Sequence, residues 1–180
     1  LEELEDLSAT EKAKMLFIVQ DPYTSYYDAK VVRDFVALTQ KLGFDPILLP
    51  FKPNGKAMHI KGFLARFSKT AKTQAEFLNR VAKLNVPLVG VDPAIVLSYR
   101  DEYKEALGDS RGDFHVLTAH EWLTNQLESN TLQSAVKNIA KSDRTFEWHL
   151  FPHCTESTFM PNSPKEWQYI FAQFGQTLNV

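Results

Sequence analysis

The sequence predicts an α/β fold: a mainly parallel sheet flanked by helices, built from two related strand-helix-strand units, the second truncated. Three observations support this prediction. Short apolar runs recur along the chain, amphipathic helical patterns separate them, and proline, aspartate or glycine closes most of these segments. Because strands alternate with helices through short connections, parallel right-handed crossovers are favoured and helices are expected on both faces of the sheet. The 180 residues, of which 44% are hydrophobic, suffice for one substantial core.

The first half of the chain shows the alternation clearly. The apolar run at 15–20 ends in Asp21-Pro22, which is typical of a buried strand followed by a turn. The next apolar residues recur every three and four positions and stop at Gly43, so they predict an amphipathic helix. The predicted elements are a strand at 15–20, a helix at 29–42, a strand at 46–49 and a long helix at 62–84.

The second half continues the same alternation. Asp92-Pro93 closes another apolar run, Pro164 lies in the first turn of the last helix, and Gly175 ends that helix. The predicted elements are a strand at 87–91, a helix at 94–107, a strand at 114–118, helices at 121–128 and 131–140, a strand at 147–151, a helix at 165–174 and a strand at 177–180.

The pattern divides the chain into three parts. These are a helical lead-in at 1–14, a first repeat with its helices at 15–145, and the start of a second repeat at 146–180. Segments 16–20 and 150–154 align, and each is followed by a polar loop, a helix ending in glycine and a strand. Chance similarity remains an open alternative. The first residue is Leu and the last strand has no residue after it, so we expect a piece of a longer protein; trimmed tails are the alternative.

Composition and missing motifs exclude several classes of protein. The formal net charge of -2 argues against a nucleic-acid binder held by bulk charge. Cys154 is the only cysteine, which excludes an internal disulfide and favours a reducing cytoplasm. No run approaches the ~20 apolar residues of a membrane span, and neither a phosphate-binding glycine loop nor a G-x-S-x-G elbow is present. We therefore expect a soluble, cytoplasmic module that is not catalytic by itself.

Three segments carry a resemblance to a known family. They are VQDPYTSYYD at 19–28, LPFKPNGK at 49–56 and VGVDPA at 89–94. With these segments the chain resembles the C-terminal region of long bacterial FAD-linked, iron-sulfur-containing D-2-hydroxyacid dehydrogenases, the D-lactate dehydrogenase or glycolate oxidase-like group. The resemblance covers essentially the whole chain. It implies that a flavin domain and a ferredoxin-like 4Fe-4S segment precede a cysteine-rich domain with two CCG-type repeats, and that this chain is most of that last domain.

The first repeat departs from the cysteine pattern of that family. Gln20, Lys52 and 92–95 stand where the resemblance would place cysteines, and none of them can bind a cluster through thiolates. Two interpretations stay open. The first repeat is a degenerate copy that supports the second, or Asp21, Lys52 and Asp92 form a site of changed chemistry at the strand ends. Capping of the following helix is the ordinary role of an aspartate before proline.

Cys154 opens the second repeat at the position of a family cysteine. The resemblance makes it a candidate ligand of an iron-sulfur cluster or zinc in the full-length protein, with His153 as a neighbouring donor. The alternative is a small buried hydrophobic residue. The other histidines show no paired ligand spacing and are expected to be structural or surface residues: His59, His115, His120 and His149.

The helix predicted at 62–84 has two contrasting faces at about 100° per residue. One arc is apolar and is expected to pack: Leu64, Phe67, Ala71, Leu78 and Val81. The opposite arc is basic and is a candidate interaction surface: Lys61, Arg66, Lys69, Lys72, Arg80 and Lys83. A solvated outer face is one interpretation. Docking to an acidic partner domain, or to an anionic membrane surface near an electron acceptor, is the other.

The resemblance also implies a function for the parent protein. That protein would oxidise a D-2-hydroxyacid of the D-lactate, glycolate or D-2-hydroxyglutarate type and pass electrons from FAD through an iron-sulfur cluster. This part would bind no cofactor itself and would support interdomain contact or electron transfer. Its expected partners are the flavin and ferredoxin-like domains of the same chain, with an electron acceptor at the inner face of the membrane as a further candidate. The open alternative is a non-catalytic interaction scaffold that acts through the basic helix.

Overall fold

A computed structural model describes residues 2–129, 132–139 and 146–180. Over these residues it confirms the α/β prediction: four parallel strands form one sheet flanked by helices, and two further strands form a separate parallel pair. The strands are β1 Met15–Val19, β2 Asp45–Leu48, β3 Leu88–Gly90, β4 Val116–Thr118, β5 Glu147–His149 and β6 Thr177–Asn179.

Twelve α-helices lie in the described part of the chain, and most match the sequence pattern. In chain order they are α1 Glu2–Glu5, α2 Ala9–Lys12, α3 Pro22–Tyr26, α4 Ala29–Lys41, α5 Lys56–Ile60, α6 Leu64–Ala82, α7 Pro93–Arg100, α8 Glu102–Leu107, α9 Ala119–Glu128, α10 Gln133–Ile139, α11 Cys154–Phe159 and α12 Ser163–Gln173. None of them is long and apolar enough to span a bilayer.

The four-stranded sheet has the order β2-β1-β3-β4. Phe17 in β1 is in register with Ile47 in β2 on one side and with Leu88 in β3 on the other. The chain moves outward from β1 to β2 and then returns to place β3 on the opposite side of β1. The direction of the strand order therefore reverses between β1 and β3, and the loops at the carboxyl ends of these strands frame the position where open α/β sheets usually bind ligands.

Strand β1 is the centre of the core. All five of its residues are buried, as expected for a strand covered on both faces. Phe17 packs into a cluster with α6, α7 and α8, whereas Leu16 and Ile18 pack into a second cluster with α4, α9 and α12. The alternation of side chains along a strand explains this division, because successive residues point to opposite faces of the sheet.

The two repeats have the same order of elements. The unit β1-α3-α4-β2 and the unit β5-α11-α12-β6 each contain a strand, a short helix, a longer helix and a parallel strand. Gly43 and Gly175 follow the two longer helices with φ of +92° and +68°, a conformation that suits glycine at a helix end. The second unit forms its own two-stranded sheet instead of extending the first sheet.

Several details of the predicted elements are wrong. The helix expected at 94–107 is divided into α7 and α8, because Asp101, at φ -107° and ψ -75°, interrupts the helical conformation. The helix expected at 62–84 begins at Leu64, since Gly62 lies in a turn at φ +74°. Leu64 itself is exposed, although it was expected to pack. The tyrosine-rich segment after β1, expected as a loop, is helix α3. Residues 131 and 140, the ends of another predicted helix, lie outside the described residues.

Candidate functional site

The aspartates that end β1 and β3 cap the helices that follow them. Asp21 Oδ1 accepts hydrogen bonds from the backbone N–H groups of Tyr23 at 2.8 Å and Thr24 at 2.9 Å. Asp92 Oδ1 accepts from the N–H groups of Ala94 at 2.8 Å and Ile95 at 3.2 Å. A side-chain oxygen satisfies helix N–H groups that have no partner within the helix. Both aspartates therefore fix the directions in which α3 and α7 leave the sheet.

The other two positions singled out in the first repeat also have contacts within the fold. Gln20 Nε2 donates to the Leu49 carbonyl at 2.7 Å, which ties the loop after β1 to the end of β2. Lys52 Nζ lies 5.0 Å from the centre of the Phe77 ring, within cation-π range. These contacts support the interpretation of the first repeat as a structural copy.

A groove of about 340 Å³ lies at the carboxyl edge of the sheet, between the loops after β1 and β2 and the first residues of α7. Its volume is at the lower end of the range for small-molecule sites. We call it the carboxyl-edge groove. Apolar side chains dominate its lining, together with one buried amide: Tyr23, Phe51, Asn54, Met58, Ile60 and Ile95.

Asn54 organises the floor of this groove and is only 4% exposed. Its Oδ1 accepts from the Lys56 backbone N–H at 3.0 Å, and its main-chain carbonyl accepts from the Tyr103 hydroxyl at 2.6 Å. The Nδ2 of Asn54 is buried and has no hydrogen-bond partner within the described part of the chain. Since nearly all buried donors in proteins are paired, this donor marks the groove as a place where an acceptor could bind.

Two buried tyrosines lie beneath the groove, and their ring centres are 5.1 Å apart. Burial raises the pKa of both the Tyr99 and the Tyr103 hydroxyl well above the usual value for tyrosine. The Gln74 amide offsets a part of that rise at Tyr99. Both hydroxyls therefore stay protonated at neutral pH, and Tyr103 acts as a hydrogen-bond donor to the loop that carries Asn54.

The Tyr103→Phe substitution is expected to lower the free energy of unfolding by about 1–2 kcal/mol, because the Asn54 carbonyl loses its buried donor. Tyr99→Phe is the matched control. The Tyr99 hydroxyl is buried with the Gln74 amide nearby but forms no hydrogen bond of normal geometry among the described residues, so its removal should change stability by no more than about 0.5 kcal/mol. Urea denaturation of both variants measures the difference. Equal losses in the two variants would contradict a specific role for the Tyr103 hydroxyl.

A second cavity, of about 590 Å³, lies beside the start of β4 and contains two arginines. Arg111 donates to the carbonyls of Tyr99, Gly112 and Phe114 at 2.7–2.9 Å. Arg100 donates to the Val116 carbonyl and to the Glu121 carboxylate. Because both guanidinium groups are engaged with the protein, this cavity is not a good candidate for an anion site.

Cys154 is the first residue of α11, and its thiol is exposed. The alternative of a small buried hydrophobic residue is therefore wrong. His153 caps this helix, with Nδ1 accepting from the Thr155 backbone N–H at 3.2 Å. Across residues 2–129, 132–139 and 146–180, no three His, Cys, Asp or Glu side chains lie close enough together to hold a metal ion.

The six basic residues of the predicted interaction surface are all exposed. They do not belong to a single helix, because Lys61 follows α5 and Lys83 follows the last residue of α6. Arg66 and Arg80 lie 5.7 Å and 5.9 Å from the ring centres of Phe63 and Phe77. The basic surface therefore extends beyond both ends of α6, whereas the sequence pattern placed it on a single helix.

A buried polar cluster around His120 was missed by the search for paired ligands. His120 is 2% exposed, with Nε2 3.3 Å from Glu166 Oε2 and Nδ1 3.6 Å from Glu156 Oε1. Ser163 and Trp167 donate hydrogen bonds to the same Glu156 oxygen. Burial lowers the pKa of His120, and the charge of Glu156 opposes that change. The cluster connects the start of α9 with α11 and α12, so it joins the second repeat to the first.

Comparison with known proteins gives relatives that share one name. The chain is 81% identical over 180 residues to a D-2-hydroxyglutarate dehydrogenase from Haemophilus influenzae, all of the chain and 18% of that relative. It is 58% identical over 178 residues, 99% of the chain and 17% of the relative, to the Escherichia coli protein of that name. With the Pseudomonas putida protein it shares 34% over 175 residues, 97% of the chain and 16% of the relative.

The chain therefore spans less than a fifth of the length of the curated relatives it matches. No protein-family model and no solved structure matches it.

Proposed function

We propose that the chain is part of an FAD-linked D-2-hydroxyglutarate dehydrogenase and that it supplies an interdomain contact module of that enzyme. The observation that carries this proposal is the 81% identity, across all 180 residues, with a relative of that name. Identity at this level over a whole domain favours a shared role in the parent protein. The alternative of a free-standing interaction scaffold finds no support among the relatives, whose names are those of dehydrogenases.

The contacts of the described residues favour a supporting role over a catalytic one. Asp21 and Asp92 cap helices, and His120 is buried between two glutamates. The turns that follow β1, β2 and β3 contain no G-x-G-x-x-G pattern, the usual phosphate cradle of a dinucleotide. FAD is therefore proposed to bind to the rest of the polypeptide, where it would accept the two electrons that leave the hydroxyacid.

The test is a substrate comparison with the full-length protein. With an artificial electron acceptor, kcat/KM for D-2-hydroxyglutarate should exceed that for D-lactate and glycolate by about 100-fold or more, because a site that pairs with a second carboxylate rejects analogues that lack it. L-2-hydroxyglutarate is the control for stereochemistry. Equal rates with D-lactate, or no oxidation of D-2-hydroxyglutarate, would rule out this function.

An iron-sulfur cluster or zinc is proposed for the parent protein, with Cys154 as one of its ligands. The exposed thiol fits the role of a single ligand, while its neighbour His153 has only Nε2 free of the helix cap. The remaining ligands would come from polypeptide outside this chain. We propose that this centre passes electrons from FAD to the acceptor and that the present domain supports the centre.

Cys154→Ser separates the structural and the ligand roles of this residue. Because the thiol is exposed, the stability of the 180-residue chain should change by no more than about 0.5 kcal/mol. The full-length variant should lose iron or zinc, measured by anaerobic metal analysis with a visible spectrum. Ser157→Ala, an exposed change on the same helix, is the control. Unchanged metal content in the Cys154→Ser protein would remove this residue from the ligand set.

The exposed basic residues are proposed as a contact surface toward an acidic partner. An acidic face of the flavin or ferredoxin-like domain is the first candidate, and an anionic membrane near the electron acceptor is the second. Six exposed positive charges support either partner. Sedimentation of the full-length protein with anionic vesicles, compared with neutral vesicles, tests the membrane candidate, since binding to both or to neither would exclude it.

A further inference from the structure

We propose that the carboxyl-edge groove is the docking site for an apolar segment, flanked by acidic residues, from the remaining part of the same polypeptide. This inference rests on the proposed function, because it requires that the chain belongs to a longer protein. It adds to that function a specific surface and a specific kind of partner segment.

The rim of the groove is unusually apolar for a surface in contact with water. Tyr26 packs edge-on against Phe51 with ring centres 5.1 Å apart, yet it remains 67% exposed. Tyr27 stacks on Tyr23, which lines the groove, and is 83% exposed, while Ile60, another lining residue, is 72% exposed. Contiguous exposed apolar residues of this kind mark interaction sites. Rings held against one another also lose little conformational entropy when a partner covers them.

The floor of the groove offers a hydrogen bond that the chain itself does not use. Asn54 Nδ2 is buried and has no acceptor among the described residues, while Oδ1 and the main-chain carbonyl of the same residue are both satisfied. Asn54 lines the groove, so a rotation of its side chain on binding would turn this donor toward a backbone carbonyl of an extended segment lying there. An unmade buried hydrogen bond costs about 1–3 kcal/mol, so an occupant that completes it gains specificity.

The charge beside the groove selects an acidic flank. Lys52 and Lys69 line an adjoining cavity that shares Pro53 and Met58 with the groove. Lys56 also lines the groove, but an ion pair with Glu102 balances its charge. The remaining positive charge, that of Lys52 and Lys69, therefore lies on the side of the groove that faces α6. Charge of one sign at the rim of an apolar site favours a partner with the opposite charge at that position.

The remaining polypeptide is the occupant that this surface fits. The chain makes up 18% of the Haemophilus influenzae relative, so most of such a protein lies outside it. A tethered segment binds at an effective concentration of about millimolar or more, so the few contacts that a small groove offers are enough to hold it. A stable contact between two separate copies needs about 1,200–2,000 Å² of buried surface, or about 20–30 residues on each side, whereas only twelve residues line the groove.

Hydroxyl-radical footprinting of the full-length protein tests the proposal. Oxidation of Tyr26 and Ile60 should be about tenfold lower than in the same protein after denaturation, because the core of an interface excludes water as a protein interior does. The exposed fractions of these two side chains in the isolated chain would allow only a small reduction. Oxidation in proportion to those fractions would overturn the proposal.

A matched pair of substitutions identifies the groove as the cause of protection. Ile60→Asp places a charge in the apolar rim and should raise the oxidation of Tyr26 severalfold, toward the value for the denatured protein. Val31→Asp, at a 39% exposed position on the outer face of α4, should leave it unchanged. An unchanged Tyr26 in the Ile60→Asp protein, or an equal response to both substitutions, would refute docking in the groove.

Two further readouts distinguish the possible failures. Protection of Tyr26 that disappears on dilution, together with a fall in mass by light scattering, would assign the groove to a second copy and overturn the proposal. The same preparation is assayed for D-2-hydroxyglutarate oxidation. If Tyr26 is protected but D-2-hydroxyglutarate is not oxidised, the proposed function alone is refuted. If D-2-hydroxyglutarate is oxidised but Tyr26 is not protected, this inference alone is refuted.

Discussion

Gly90→Ala should lower the free energy of unfolding by about 3 kcal/mol, because a methyl group at this position has no space. Gly90 is the last residue of β3 and is in register with Val19 on one side and Thr118 on the other. A Cβ built on it would overlap Cγ2 of Val96, a fully buried residue of α7, and would lie 3.5 Å from Val116 Cγ1. Cores pack too densely to absorb such an overlap without moving the helix. Urea denaturation of the 180-residue chain measures the loss.

A double-mutant cycle shows whether Val96 causes that loss. Val96→Ala alone should cost about 2 kcal/mol, since it removes buried methyl groups and leaves a cavity. In the Gly90→Ala/Val96→Ala protein the new methyl group occupies part of that space, so the double variant should be no less stable than Val96→Ala. If the two losses simply add, the overlap with Val96 is not the cause. Helix α7 also carries Ile95, which lines the groove. A double variant as stable as Val96→Ala would therefore show that α7 can lie this close to β3 only because residue 90 has no side chain.

Glu156→Ala should cost about 3 kcal/mol and should loosen the second repeat from the first. The buried carboxylate accepts hydrogen bonds from Ser163 Oγ and Trp167 Nε1, and it lies 3.6 Å from Nδ1 of His120. The substitution leaves two buried donors without an acceptor, and each unsatisfied donor costs about 1–3 kcal/mol. It also opens a cavity beside a buried imidazole. Denaturation followed by tryptophan fluorescence reports the change directly, because Trp167 is part of the cluster.

Two control substitutions make the Glu156 result specific. Glu156→Gln keeps the shape of the side chain and one acceptor oxygen, so we expect a smaller loss of about 1 kcal/mol. Glu128→Ala removes an exposed carboxylate from α9 and should change stability by no more than about 0.5 kcal/mol. A Glu156→Ala protein as stable as the Glu128→Ala protein would show that this cluster does not hold the two repeats together.

Local sequence patterns predicted much of this fold because the underlying interactions are local. The apolar run of β1 and the glycine after α4 act within one element or one turn, so spacing alone identifies them. The capping role of Asp21 and Asp92 also follows from residues two and three positions away. The same local patterns placed both aspartates at strand ends, which is why the sequence already indicated the edge of the sheet where the groove lies.

The tertiary structure decided the features that depend on distant residues. The hydrogen bond from Tyr103 to Asn54 joins positions 49 residues apart, and no local pattern pairs them. The contacts of His120 with Glu166 and Glu156 exist only because α12 packs against α9 and α11 packs against α7. Helix periodicity alone also assigned Leu64 to the packed face, whereas the structure leaves it exposed in the first turn of α6. Periodicity and turn chemistry thus determined which segments are strands and helices, whereas the packing of crossover helices on the sheet decided which polar groups meet and where the groove forms.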